Sequence, residues 1–155
     1  MQGFSTFKEA TEIDFGDAEL LAFVGPTGSG KSSIIDAITF ALYGSVSRYD
    51  DARLVAPVIS QGANEAKVRL DFELAGRVYV AVRVVRRTKS GASTREARLE
   101  LADAAGGEAP VVASGAKELT EAVEQLLGLD FSQFTRTVVL PQGEFAEFLL
   151  SLIHI

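Results

Sequence analysis

The alternation of apolar and polar residues is plainest between Ala66 and Arg87. Ala66, Val68, Leu70, Phe72 and Leu74 alternate with Lys67, Arg69, Asp71 and Glu73, a period of two that predicts a half-buried strand. Ala75-Gly76 supplies a turn, and Val78, Val80, Val82 and Val84 form the next apolar face, so the stretch predicts an antiparallel hairpin. Lys89 to Ser93 reads as a loop. Ala97, Leu99 and Leu101 alternate again and predict a third antiparallel strand, which sets the antiparallel region at residues 66–102. Val111-Val112 predicts one more short strand.

On either side the period changes. Ile34, Ile35, Ile38, Ala41 and Leu42 share one face of a helix that should stop at Gly44. Gly115 to Leu127 predicts a second helix, with Leu119, Val123, Leu126 and Leu127 on one face and Gly128 as its stop. Asp130 with Gln133 looks like a capping box opening a short helix. Thr137 to Leu140 predicts a strand ended by Pro141, and Gln142-Gly143 leads into a helical start with Phe145, Phe148 and Leu149 on one side. Near the start, Phe4, Phe7, Ile13 and Phe15 predict strand, turn, strand. Gly16-Asp17 then turns into a buried strand at Leu20–Val24. Ser45 to Ala63 reads as a surface connection with a short helix near Asp51–Leu54. Strands and helices mixed in this order predict an α/β fold.

Composition narrows the class. The 155 residues are 47% hydrophobic, enough to bury a core, and the absence of cysteine excludes disulfides and thiolate metal sites. No apolar run is long enough to span a bilayer, so no membrane partner and a cytoplasmic location are expected. The net charge of −6 argues against nucleic acid, but the charge is uneven. Arg83, Arg86, Arg87, Lys89, Arg95 and Arg98 face only Glu96, a local +5 that leaves −11 to the remainder. This strip reads either as a solvated hairpin edge or as a contact for DNA phosphates.

The candidate chemistry lies between the buried strand and the first helix. Gly25-Pro26-Thr27-Gly28-Ser29-Gly30-Lys31-Ser32 fits the pattern G-x-x-x-x-G-K-[ST] in full. The glycines let the backbone curl so that N–H groups point inward at a phosphate chain, and the helix beginning near Lys31 adds the positive end of its dipole. Lys31 supplies a full charge to the outer phosphates, Ser32 a hydroxyl for bound Mg2+, and Ser33 a hydroxyl within reach of an inner phosphate. Asp36, one turn further, reads as structural.

An antiparallel layer inserted directly after the first helix is a feature of ABC-type ATPases, in which a glutamine at a strand end reaches the magnesium and the γ-phosphate. Gln142 stands at that place. The run Gly25 to Ala37, the block Ala41-Leu42-Tyr43-Gly44 and the segment Phe131 to Leu149 together resemble the N-terminal ATPase half of the SbcC family. The segment 131–149, with Leu140-Pro141-Gln142-Gly143-Glu144-Phe145, carries the family-specific part of the likeness and favours SbcC over SMC-type chromosome-organising ATPases and transporter-type ABC subunits.

The resemblance implies a P-loop NTPase. Residues 1–150 would be the N-terminal half of an ABC-type head, with the phosphate loop at 25–32, the antiparallel region at 66–102 and the glutamine-loop segment at 131–149. Residues 151–155 would be an atypical tail where a coiled coil normally starts. Gly25 to Ser33 would bind ATP, Ser32 and Gln142 would hold Mg2+, and Lys31 and Gln142 would act in catalysis. It implies an SbcD-type nuclease subunit, double-stranded DNA ends and a second, ATP-bridged copy as partners, in a nucleoid-associated cytoplasmic complex. The family's acidic pair and signature motif are missing from these 155 residues, so the chain is expected to be a fragment with little hydrolysis of its own.

Overall fold

The computed structural model describes residues 1–16, 22–48, 55–102 and 110–137. The elements run α1 (Lys31–Tyr43), a 3₁₀ turn (Ala56–Val58), β1 (Glu65–Leu74), β2 (Arg77–Thr88), β3 (Gly91–Leu101), β4 (Val111–Ser114), α2 (Ala116–Leu127) and α3 (Phe131–Thr137). The strands form one antiparallel sheet in the order β1-β2-β3-β4, with α1 and α2 packed on it, an α/β arrangement. Among the described residues no helix is long and apolar enough to cross a membrane.

The hairpin forms where the alternation placed it, but its two apolar faces do not coincide. Ala66 pairs with Val85, Val68 with Arg83, Leu70 with Ala81 and Phe72 with Tyr79. Residues directly opposite share a face, so the helix side of β2 carries Tyr79, Ala81, Arg83 and Val85. Val80, Val82 and Val84 lie on the far side, beneath Lys67, Arg69 and Asp71 of β1 and Glu96, Arg98 and Glu100 of β3. Those side chains pair with one another, Arg69 to Asp71 at 2.8 Å and Arg98 to Glu100 at 2.7 Å, with Arg98 also on Glu96. The valines on this side are buried, with Ala102 packed against them.

The core sits on the helix side in two adjoining groups. Phe4, Ala37, Phe40, Ala41, Val58, Ile59, Ala66, Val68 and Val85 form one, with the Phe4 and Phe40 rings 5.4 Å apart. Leu42, Tyr43, Tyr79, Ala81, Leu99, Leu119, Val123 and Phe134 form the other. Helix α1 therefore buries Ala37 and Phe40 in the core, while Ile35 and Ile38 from the expected stripe are half-buried. Packed against the sheet, the N-terminal turn and α2 at once, it presents more than one face to neighbours.

Other expectations shift locally. The loop expected over Lys89–Ser93 is a two-residue turn, because β2 continues to Thr88 and pairs with Gly91. Phe4 to Phe7 is a tight turn bridged to Ile59, and no strand forms over residues 11–16. Thr137, expected to open a strand, ends α3, its hydroxyl donating to the Gln133 carbonyl. Helix α2, the Gly128 stop and the Asp130–Gln133 capping box are as expected, the box closing with reciprocal bonds of 3.0 and 2.8 Å. The proposed helix at Asp51–Leu54, the strand residues 138–140, the rest of the glutamine-loop segment with Gln142, and the tail 151–155 lie outside the described residues.

Of the strand expected at Leu20–Val24, only Ala22 to Val24 are described, and these three are not in the sheet. Leu20 and Leu21 lie outside the described residues, and Ala22 to Val24 have no ladder partner among them. Val24 is 93% exposed, and Phe23 rests edge-on against Phe15. A strand is defined by its neighbour's hydrogen bonds, and all four described strands belong to the sheet that starts at β1.

Candidate phosphate site

Residues 25–29 form an exposed loop leading into α1. The turn closes with the Ser29 N–H on the Pro26 carbonyl at 3.2 Å. Gly28 and Gly30 have φ of 85° and 94°, a region in which glycine is relaxed and other residues are strained. At Gly30 the space is closed as well: a Cβ there would sit 2.6 Å from Thr6 Oγ1 and 2.9 Å from Phe7 Cζ. The N-terminal turn thus backs the exit of the loop directly.

Lys31 Nζ donates to the carbonyls of Gly25 at 2.7 Å and Pro26 at 2.8 Å, and lies 3.4 Å from Ser29 Oγ. The ammonium is drawn back across the mouth of the loop, where a phosphate oxygen could compete with those carbonyls. No side chain caps the N-terminus of α1. The first-turn N–H groups, those of Lys31, Ser32 and Ser33 among them, have no intrahelical acceptors, and with the helix dipole they form a site for an anion. Ser32 is exposed at this end. Ser33 points elsewhere: it is 3% exposed, and its hydroxyl is 2.8 Å from Ser5 Oγ. Its place in the first turn is therefore carried by its N–H.

The donor set fits magnesium. That ion favours one or two protein oxygens plus phosphates and water, and the exposed Ser32 hydroxyl lies beside the loop. Among the described residues no group of three or more His, Cys, Asp or Glu could hold a metal by itself. A recess of about 490 Å³ between the N-terminal turn and the 3₁₀ turn is lined by Ser5, Thr6, Ser60 and Arg87 and includes no loop residue. A larger cleft of about 900 Å³ between residues 10–16, α1 and β1 does not include the loop.

Asp36 is a structural residue in this geometry, paired with Arg48. Burial raises its carboxyl above the usual range, and the Arg48 guanidinium only partly opposes the shift.

The basic strip does not survive as one surface. Arg83 is 2% exposed and turned into the core, so it is removed from any contact with nucleic acid. The pairing of β2 placed it on the helix side, which the alternation of its neighbours did not indicate. Arg87 donates to the Ile59 carbonyl at 3.2 Å and the Ala63 carbonyl at 3.4 Å, and Arg98 is engaged by Glu96 and Glu100. Arg86, Lys89 and Arg95 remain exposed near the β2–β3 turn, Arg95 at a bulge in the ladder.

Sequence reasoning missed the residues that support the site. Ser5, Thr6 and Phe7 back the loop from the N-terminal turn, and Arg83, Tyr43 and Thr120 hold the far end of α1. A long-range approach of this kind leaves no local pattern. The one available signal was an arginine interrupting the apolar run Val78–Val85.

A family model described as an AAA domain matches residues 1–153. The chain is similar to the SbcC component of the nuclease SbcCD of Deinococcus radiodurans, 44% identical over 149 residues, covering 96% of this chain and 16% of that protein. It is 37% identical over 155 residues to the SbcC component of the nuclease SbcCD of Clostridium acetobutylicum, covering 96% of this chain and 13% of that one. A probable DNA double-strand break repair Rad50 ATPase of Aquifex aeolicus is 38% identical over 149 residues, 96% of this chain and 14% of the relative. The chain thus spans 13–16% of the length of these curated relatives.

Proposed function

This chain belongs to the AAA domain family, and from that membership we propose that it is the ATP-binding N-terminal part of an SbcC-type ATPase acting in DNA double-strand-break repair. One observation carries the reading: the uncapped N-terminus of α1, approached by a glycine-rich loop whose carbonyls hold the Lys31 ammonium at 2.7 and 2.8 Å. In this proposal the ABC-type phosphate loop, Gly25 to Ser33, takes the triphosphate of ATP. Lys31 leaves the Gly25 and Pro26 carbonyls for the outer phosphates, and the N–H groups of the first turn donate to the phosphate oxygens further in.

Ser32 and Gln142 would hold Mg2+, which when bound neutralises developing phosphate charge. Gln142 would also sense the γ-phosphate. The reaction is phosphoryl transfer to water, with positioning and charge neutralisation as the sources of rate. The acidic group that orients the water would come from the remainder of the longer protein, as would the surface on which a second, ATP-bridged copy closes. The names of the relatives support an SbcD-type nuclease partner and DNA ends as the substrate; in this proposal the closed heads control access to those ends, in a cytoplasmic, nucleoid-associated complex. Arg86, Lys89 and Arg95 are the strip residues still free to meet DNA phosphates.

The test is equilibrium binding of ATP to the full-length protein with and without Mg2+. Affinity should rise with Mg2+, and Ser32→Ala should remove most of that rise while leaving the metal-free affinity in place. A full-length protein with no Mg2+-dependent affinity for ATP overturns the proposal.

A further inference from the structure

Ser5 has a φ of 51°, in the left-handed region where a side chain is strained and glycine is not. Every polar group it has is committed. Its N–H donates to the Val58 carbonyl at 2.7 Å, its carbonyl accepts from Ser60 Oγ at 2.8 Å, and its Oγ lies 2.8 Å from Ser33 Oγ. The first two bonds use backbone alone, so a glycine would make both without strain. What the serine adds is the hydroxyl on Ser33. A strained residue that places one particular group points to a use for that group.

The turn that carries Ser5 is held independently of the hydroxyl pair. The Ser60 N–H donates to the Gly3 carbonyl at 2.8 Å, and the buried Phe4 packs its ring 5.4 Å from that of Phe40 in α1. Thr6 and Phe7 of the same turn close the space behind Gly30. The turn therefore meets α1 at its start, in its first turn and near its end, and it presents the Ser5 hydroxyl from a fixed support.

Ser33 has another acceptor within its reach. Serine and threonine inside a helix turn their hydroxyls back on the carbonyl four residues earlier, which bends the helix slightly. Thr39 does so here, on the Ile35 carbonyl at 3.0 Å. For Ser33 that carbonyl belongs to Ser29, inside the phosphate loop. A bond there would draw the loop against the first turn of α1, whose N–H groups are the anion donors. The partner on Ser5 leads the hydroxyl the other way, and at 3% exposure Ser33 has little water to turn to instead.

We propose that Ser5 is a positioning residue for the phosphate site: it holds the Ser33 hydroxyl off the loop, and so keeps the first turn of α1 straight and its N–H groups free for phosphate oxygens. The inference rests on the reading of Gly25 to Ser33 as an ATP site. In that reading the N–H groups serve the inner phosphates, which ADP and ATP share, and Lys31 serves the outer ones. Loss of the Ser5 hydroxyl therefore weakens both nucleotides alike.

The experiment is calorimetric titration of the full-length protein with Mg2+-ATP and Mg2+-ADP, beside a thermal melt. Ser5→Ala should weaken each nucleotide about fivefold. Ser5→Gly removes the strain together with the hydroxyl. It should lose the same affinity with a melting temperature at or above that of Ser5→Ala, and it decides the matter if Ser5→Ala does not fold. In a Ser33→Ala background, with no hydroxyl left to hold, either substitution should cost less than about 1.5-fold. Unchanged affinity in both Ser5 variants, or a loss that follows melting temperature from one variant to the other, would show Ser5 to be structural only and overturn the proposal. Equal losses with and without the Ser33 hydroxyl would also overturn it, since Ser5 would then not act through Ser33. Unaltered protein that shows no Mg2+-dependent affinity for ATP is a different result: the ATP site itself fails, and the role of Ser5 falls with it.

Discussion

The two ends of α1 are finished in opposite ways. Its N-terminus is open: no side chain caps it, the loop before it is exposed, and the nearest cation, Lys31, is tied only to loop oxygens. At its C-terminus Gly44, Arg83 and Thr120 bring donors to the carbonyls of Phe40, Ala41, Leu42 and Tyr43. A helix end left without partners is costly when buried and useful when a ligand supplies them. The contrast assigns one end to binding and the other to anchoring, and it makes opposite demands on mutation. Changes at the open end should cost affinity, and changes at the closed end should cost stability or positioning.

The largest expected effect is at the open end. Lys31→Ala in the full-length protein should weaken Mg2+-ATP binding on the order of a hundredfold, because charge-assisted bonds to phosphate are lost. The melting temperature should move by under about 2 °C, since the bonds Lys31 makes here are exposed. Calorimetric titration and a thermal melt on the same sample separate the two. A large loss of melting temperature would mean that the open end is also an anchor, and the contrast would break.

Gly30 is where the open end meets the body, and Gly30→Ala should destabilise the protein by about 2–3 kcal/mol in denaturant titration. The substitution combines a positive φ of 94° with contact at Thr6 and Phe7. Gly28→Ala is the control. Its φ is 85° and nothing lies within 4 Å of the added carbon, so the loss should stay near 1 kcal/mol. Equal losses would show that strain alone, and not support from the N-terminal turn, matters at Gly30.

How legible each end was in the sequence follows from the same contrast. The open end is built from consecutive residues, so its pattern could be read directly from Gly25 to Ser33. Helix stops at Gly44 and Gly128 and the Asp130–Gln133 box were legible for the same reason, each being a local backbone or capping event. The closed end joins residues 41–43 to residue 83 and residues 116–120, a junction that depends on strand register. Register inverted the reading of β2: the valines are as apolar as a core face requires, yet pairing with β1 turned Tyr79, Ala81, Arg83 and Val85 toward the helices. The strand before the loop is described only over Ala22 to Val24. A strand shows only through its neighbour's hydrogen bonds, and Ala22 to Val24 have none among the described residues.

Tyr43 offers a smaller test of the closed end. Tyr43→Phe removes the bond to the Leu129 carbonyl and should cost about 1 kcal/mol near pH 8. Burial, with Glu124 and Asp130 adding to it, pushes the phenol up to about 12 from its ordinary 10.0. The native protein therefore keeps this proton to higher pH than the unfolded chain. The stabilisation is complete below about pH 10 and is lost as pH rises through about 12. The gap between wild type and Tyr43→Phe, measured by denaturant titration from pH 8 to 11.5, should narrow above pH 10. A constant gap would mean that the hydroxyl bond is not formed in solution.

The smallest effect belongs to Asp36, between the two ends. Its side chain is 11% exposed while that of its partner Arg48 is 39% exposed, so the two do not lose the same amount of hydration. Burial outweighs the guanidinium and raises the carboxyl above its ordinary 3.8. The folded chain thus holds the Asp36 proton to higher pH than the unfolded chain. The favourable contribution is complete below about pH 3.8 and fades as pH rises through the raised native value, the reverse of an ordinary paired carboxylate. Asp36→Asn keeps the shape, leaves no buried charge, and returns Arg48 to water it already partly meets. At pH 7 the variant should be more stable by under about 1 kcal/mol, with the advantage shrinking toward pH 4. A loss above about 1 kcal/mol at pH 7 would mean that the Arg48 pair outweighs burial, and would add the middle of α1 to its anchored part.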